Sequence, residues 1–160
     1  MAWLKGRAEL GVRHWPSLLS EAHAKAGNVG KGLNIIDEAI AEAEKTRDKV
    51  CKAELWRVKG DLLRMQGNSD RKARESFYRA IRIARAQKAK SWELRAVISQ
   101  SRLMGELGNR EAARGMLERI YAQFDEGLET KDLKEANDLL GRFQRTPTRS
   151  SPEPPAKRAA

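Results

Sequence analysis

The stretch YAQFDEGLETKDLKEANDLL, Tyr121 to Leu140, holds six Asp or Glu residues and two Lys. Carboxylates at that density could hold a metal ion or share acid–base work. A calcium loop, however, sets its acids at fixed intervals around a glycine turn, and no such spacing occurs here. The segment AGNVGKG, Ala26 to Gly32, looks at a glance like a phosphate-cradling loop. That device needs a glycine five residues before Gly30, a Ser or Thr after Lys31, and a strand ahead of it. Lys25 and Gly32 occupy the two decisive positions, so the segment reads as an interhelical turn. His14 and His23 lack any Cys, His or carboxylate at metal-ligand spacing, and His23 reads as a packed, hydrogen-bonded side chain. Cys51 lies near a helix start with Lys49 and Lys52 alongside, a setting suited to a thiolate, yet no resolving cysteine or base accompanies it. No Ser–His–Asp set or carboxylate pair emerges. The expectation is a chain with no catalytic, cofactor-binding or metal-ligating residue.

The elements that would carry these residues are helical. The chain has 160 residues, which bounds it to one domain with room for a real core. Ala, Leu, Glu, Lys and Arg dominate and aromatics are few, the composition of amphipathic helices. Proline stands at Pro16 and then only from Pro147 onward, leaving the stretch between free of its strongest helix breaker. The fold class expected is all-α. The formal charge of +10 could attract nucleic acid, anionic membrane or acidic protein. Part of it lies in Arg142, Arg145, Arg149, Lys157 and Arg158, and elsewhere opposite charges alternate as on solvated helix faces. No docking motif for nucleic acid accompanies the charge, so nucleic acid is not the expected partner and a basic helical nucleic-acid adaptor is the weaker alternative. A lone cysteine cannot form an internal disulfide, and no apolar run reaches spanning length or follows Met1 as a signal core. The expected setting is cytoplasmic, away from membrane.

A period of about forty residues organises the chain. SEAHAKAGNVGKGLNIIDEAIAEAE, KGDLLRMQGNSDRKARESFYRAIRIAR and SQSRLMGELGNREAARGMLERIYAQF each begin as helix, stop at Gly-Asn and resume as helix. The turn glycines Gly27, Gly67 and Gly108 lie 40 and 41 residues apart. A small–large–small trio recurs after each turn: Gly32, Ile36, Ala39; Ala73, Phe77, Ala80; Ala113, Leu117, Ile120. Offsets of four and three put each trio on one face, turned to the partner helix. Glycine can close a helix in the left-handed conformation, and the adjacent Asn, or Ser69 or Asp70 in the middle copy, can cap the next one. Helices are expected near 17–26, 29–46, 49–66, 70–88, 91–107, 110–125 and 131–143.

The pattern Trp56, Gly60, Leu63, Gly67, Ala73, Phe77, Ala80 resembles a tetratricopeptide repeat of an elongated variety. The strings AELWRVKGDLL, SWELRAVISQSRL and YAQFDEGLETKDLKEA are similar to the end of the repeat region in bacterial signalling proteins. Those proteins couple an ATPase module to an adenylate/guanylate-cyclase or LuxR-type transcription-regulator domain. The resemblance covers 16–143 and implies a right-handed solenoid of about three helical hairpins with a non-catalytic, protein-binding role. His23 takes the position held by Leu63 and Met104 in the next copies, where the family usually has Tyr. Trp56 is then core, and Trp92 heads its hairpin, packing against the layer of Trp56 or stapling the helix start. Gly127 ends the last hairpin after Tyr121 and Phe124. Thr130 can cap a fresh helix with Asp132 near its positive end. Leu133, Ala136, Leu139, Leu140 and Phe143 form one apolar stripe, with the charges opposite. On this reading the acidic stretch is a terminal cap.

Stacked hairpins of this kind curve, and their first helices line a concave surface that holds peptides. The groove-facing positions implied are Glu54, Arg57, Asp61 and Arg64, then Arg95, Ile98 and Arg102. Arginine grips carboxylates bidentately, so an acidic or C-terminal peptide is the ligand class expected. The alternative is that Arg57, Asp61 and Arg64 pair with one another on a wet face. The carboxylate-clamping variety uses Lys and Asn at set positions. Asp61 replaces one such Asn, so that particular specificity is not implied. Residues 1–15 read as the end of an incomplete upstream repeat. Trp3 and Trp15 belong to it, with an apolar face around Leu4, Leu10, Val12 and Trp15 that lacks a neighbour. That suggests, as the alternative to a free-standing scaffold, a gene fragment, a split protein or a chain that docks on an upstream ATPase/cyclase domain or on itself. Residues 144–160 read as a disordered tail rich in Pro, Ser and Arg.

Overall fold

The structure, a computed structural model, describes residues 15–46, 51–67 and 69–145. Among them seven helices form and no strand: α1 (15–25), α2 (Val29–Lys45), α3 (Lys52–Met65), α4 (Asp70–Ala86), α5 (Lys90–Glu106), α6 (Arg110–Tyr121) and α7 (Lys131–Gln144). The chain is all-α over the described residues, and every expected helix is present. Expectations on Trp3, Leu4, Leu10, Val12, His14 and the tail from 146 onward fall outside the described residues.

The turns form because a residue just past the helix takes a left-handed backbone. Gly27, Gly67 and Gly108 have φ of 82, 85 and 86°, whereas Gly127, at 72°, lies in the loop beyond the end of α6 at Tyr121. At the first turn the Asn28 amide donates to the His23 carbonyl (2.9 Å) and the Gly27 amide to that of Ala24 (3.0 Å). The same pair of bonds recurs from Asn109 to Met104 (2.8 Å) and from Gly108 to Gly105 (3.2 Å). This is the double backbone closure that satisfies the last carbonyls of a helix. The side-chain caps expected at Asn28, Ser69, Asn109 and Thr130 do not form, although all four residues occupy N-cap positions. Asn28 and Asn109 have ψ of 53 and 50°, away from the extended backbone that aims a cap oxygen at the first turn. Asp70 is the first helical residue of α4 and not its cap.

From α2 onward consecutive helices pack against one another, and α3 also touches α5, which touches α7; α1 approaches α2 where Gly32 faces the Ser20 carbonyl. Thus α4 leans on α3 and α5 together, and α6 on α5 and α7. The trios explain the contact. Gly32, Ile36, Ala73, Phe77, Ala80, Ala113, Leu117 and Ile120 are all buried, and Ala39 packs at the core's edge. Gly60 lets the Phe77 ring of α4 lie against the α3 backbone, since a methyl group there would overlap the ring. Leu63 joins Ala73, Phe77 and Leu103 in a small cluster beside the main core, which runs from Ala24 in α1 to Leu140 in α7.

The acidic stretch is a loop over 122–130 and helix from Lys131. Leu133, Ala136, Leu139 and Leu140 are buried and Phe143 packs against them, so α7 covers α5 and α6. Its charges are not all on the far side, since Asp132 and Glu135 turn toward α5, where they meet arginines. Trp56 is buried in the core. Trp92 is half-buried with the Arg95 guanidinium 5.5 Å over its ring. Trp15 is 63% exposed, and Leu18 and Leu19 beside it on α1 are exposed too. No helix among the described residues is long and apolar enough to cross a membrane.

Candidate functional site

Helix α3 sets Glu54, Arg57, Asp61 and Arg64 along one face because their offsets of three and four nearly complete helical turns. Helix α5 lays Arg95, Ser99 and Arg102 beside them. Arg57 is the centre of what results. Its Nε donates to Glu54 Oε2 (2.8 Å) and its Nη2 to Glu54 Oε1 (2.7 Å). Nη1 donates to Asp61 Oδ2 (2.5 Å), and Nη2 also reaches Glu21 Oε1 on α1 (2.8 Å). From α5, Arg95 Nη2 meets the same Glu54 oxygen at 2.9 Å and Ser99 Oγ donates to Asp61 at 3.2 Å. Arg95 extends the network to Asp132 on α7, 3.8 Å away.

Burial decides what this network can do. Glu54 is 3% and Arg57 8% exposed, although both were expected to face a peptide-binding groove. Burial alone would lower the Arg57 pKa, but the bonds to and charge of Glu54, then Asp61 and Glu21, raise it well above its ordinary value. The guanidinium is held fully cationic. Asp61 keeps a quarter of its side chain exposed, yet burial still pushes its carboxyl above the ordinary 3.8 against the pull of Arg57, Arg64, Ser99 and Arg102. Ile98 is 2% exposed and belongs to the core, so it offers nothing to a groove. Residues 54 and 57 are withdrawn from solvent because α1 and α5 lay Glu21, Arg95 and Ser99 over the middle of α3, and Ile98 because its side of α5 faces the core. A ligand there would first have to break buried ion pairs.

The open part of the face lies at the other end of α3 and α5. Arg64 Nη1 meets Glu106 at 2.6 Å, and Arg102 meets Glu135 of α7. Arg64, Arg102, Arg110 and Arg142 together line an open cleft of about 510 Å³ with Gly105, Glu106, Leu139 and Phe143. Four guanidinium groups therefore face one lining carboxylate, with an apolar floor from Leu139 and Phe143. The cleft is possible because Gly105 leaves room for the Phe143 ring, which would meet a methyl group there at 2.7 Å. Sequence reasoning found Arg64 and Arg102 but missed Arg110 and Arg142. A signal existed for the second, since Arg142 follows Arg102 by forty residues, the period of the turn glycines.

The other candidates are not gathered here. Cys51 is buried at the head of α3 and His23 is half-buried on α1. No three His, Cys, Asp or Glu side chains among the described residues stand close enough to hold a metal ion. No protein-family model matches the chain, and no curated protein matches it.

Proposed function

We propose that the chain is a non-catalytic protein-interaction module, a right-handed solenoid of tetratricopeptide-like hairpins that takes an acidic peptide on the α3–α5–α7 face. The observation that carries this reading is the cleft of four arginines around one lining carboxylate. A Glu or Asp side chain, or a free C-terminus, can take bidentate bonds from Arg102 and Arg142 in exchange for the intramolecular partners these arginines hold, the half-buried Glu135 among them. An apolar neighbour in the peptide would lie on Leu139 and Phe143. The forty-residue period, the buried trios and the order of helix contacts support the repeat reading. Arg57 and its partners then serve as a fixed inner strut and leave recognition to the arginines beyond it.

The test is fluorescence anisotropy with labelled Glu- and Asp-rich peptides, each with a free and an amidated C-terminus. Saturable binding is expected, weakened about tenfold or more by Arg102→Gln or Arg142→Gln, because charged hydrogen bonds contribute about 1.5–3 kcal/mol. Lys31→Gln on α2 should leave affinity unchanged. Binding that survives Arg102→Gln/Arg142→Gln together would refute the site.

A second reading makes this region the regulatory end of an ATPase/nucleotide-cyclase-type signalling protein. The exposed Trp15, Leu18 and Leu19 favour it, since such a cluster suits a helix docked ahead of α1 or a second copy. Self-association that disappears in Trp15→Ser/Leu18→Ser, read by light scattering, is the expected sign.

A further inference from the structure

Half of the net charge of the chain stands on one helix and the turn after it. Helix α4 carries Arg71, Lys72, Arg74, Arg79, Arg82 and Arg85 against Asp70 and Glu75, and Lys88 follows. That is five of the ten net positive charges. The alternation of signs expected along solvated faces therefore fails on α4. Its inner face is apolar or small, with Ala73, Ser76, Phe77, Ala80, Ile81 and Ala84 buried, so all six cations are driven to the outside. Arg71 pairs with Glu75 and Arg85 with Glu93. No ion pair among the described residues engages Lys72, Arg74, Arg79 or Arg82.

An aromatic ring sits among them. Tyr78 is 60% exposed and lies one turn from both Arg74 and Arg82. Arg79 stacks over the Trp56 ring at 4.6 Å and, with Arg82, Ile83 and the Lys52–Glu44 pair (3.7 Å), lines a second open pocket of about 550 Å³. This surface shares no lining residue with the arginine cleft.

We infer that the outer face of α4 binds single-stranded nucleic acid, the arginines taking backbone phosphates and Tyr78 stacking on a base. The rise of an α-helix puts Arg74 and Arg82 about 12 Å apart, so they reach separate phosphates and leave a base's width between them for the tyrosine. An acidic protein segment would satisfy the guanidinium groups and leave Tyr78 in water. A single strand supplies a phosphate and a π-face at every residue, and guanidinium groups suit both. Binding of this type is insensitive to base sequence and falls steeply with salt, because each neutralised phosphate releases counterions.

The experiment titrates the full chain into a labelled 20-nucleotide oligo-dT by anisotropy, over about 50–200 mM salt. Saturable binding is expected, with a log–log salt slope near −3 for about four phosphates, at about −0.7 each for a single strand. Arg74→Glu/Arg82→Glu should abolish it, and Tyr78→Ala should weaken it about tenfold with the slope unchanged. All three positions are exposed, and thermal melts check that the variants fold. Arg102→Gln/Arg142→Gln should bind the oligonucleotide as the parent does, so the outcome is independent of the peptide site. Undiminished binding by Arg74→Glu/Arg82→Glu would overturn the proposal, since the charge would then act from elsewhere in the chain. Undiminished binding by Tyr78→Ala, or equal competition by polyglutamate or by a duplex, would reduce the face to an unselective basic patch and overturn it as well.

Discussion

Arg57 is bonded to three carboxylates on two helices and is almost wholly removed from water. Each charge taken out of water costs several kcal/mol, and only close, well-directed partners return that cost. The arrangement is therefore sensitive to losing one member and tolerant of losing a matched pair. Arg57→Met leaves Glu54 buried with Arg95 as its remaining cation, and should cost roughly 3–5 kcal/mol in urea unfolding. Arg57→Met/Glu54→Leu should recover most of that loss, because neither buried charge then lacks its partner. A double variant as unstable as the single one would show that Arg57 acts by packing and not by charge. Sequence spacing placed Glu54, Arg57 and Asp61 on one face. It could not show that the face is covered, since Glu21 lies 36 residues before Arg57 and Ser99 lies 38 after Asp61.

At the scale of elements, one turn departs from the others. Lys88 has φ of 55°, and the Ala89 and Lys88 amides donate to the Ala84 and Arg85 carbonyls at 3.0 Å each. The closure between α4 and α5 is thus the same as at Gly27 and Gly108, but made by a residue with a Cβ. The left-handed conformation costs such a residue about 1 kcal/mol or more relative to glycine. Lys88→Gly should therefore raise stability by up to about 1 kcal/mol, or about 4 °C in melting temperature for a domain of this size. Gly108→Ala should lower it by a similar amount. If Lys88→Gly is neutral or destabilising, the turn is held by something other than this closure. The glycine turns were legible because glycine advertises the conformation it permits. Lys88 advertises nothing, and the Asn and Ser residues that read as caps proved dispensable to turns already closed by backbone.

At the scale of the whole molecule, one core links α1 to α7, and α7 is its outer wall. Leu133 is buried against it, and Leu133→Ala should cost about 2–4 kcal/mol from lost transfer energy and the cavity left behind. Because the core is continuous, circular dichroism and tryptophan fluorescence should still report one coincident transition. Two separated transitions would mean that the hairpins melt as independent units. The two surfaces proposed for binding share no lining residue: the arginine cleft is lined from α3, α5, α6 and α7, and the basic face is the outward side of α4. By itself the amino-acid sequence determined the all-α class, the position of every helix, the glycine turns, the buried trios and the apolar stripe of α7. These depend on the side-chain period of a helix and on turn chemistry, both set within a few residues. Tertiary structure alone decided which charges are buried and which are offered. Arg64 meets Glu106 across 42 residues and Arg102 meets Glu135 across 33, while the packing of α1 and α5 on α3 hides Glu54 and Arg57 and the core takes Ile98. Whether a charge faces a partner or water is a property of the neighbours that packing brings to it, and those neighbours are a whole hairpin away in the chain.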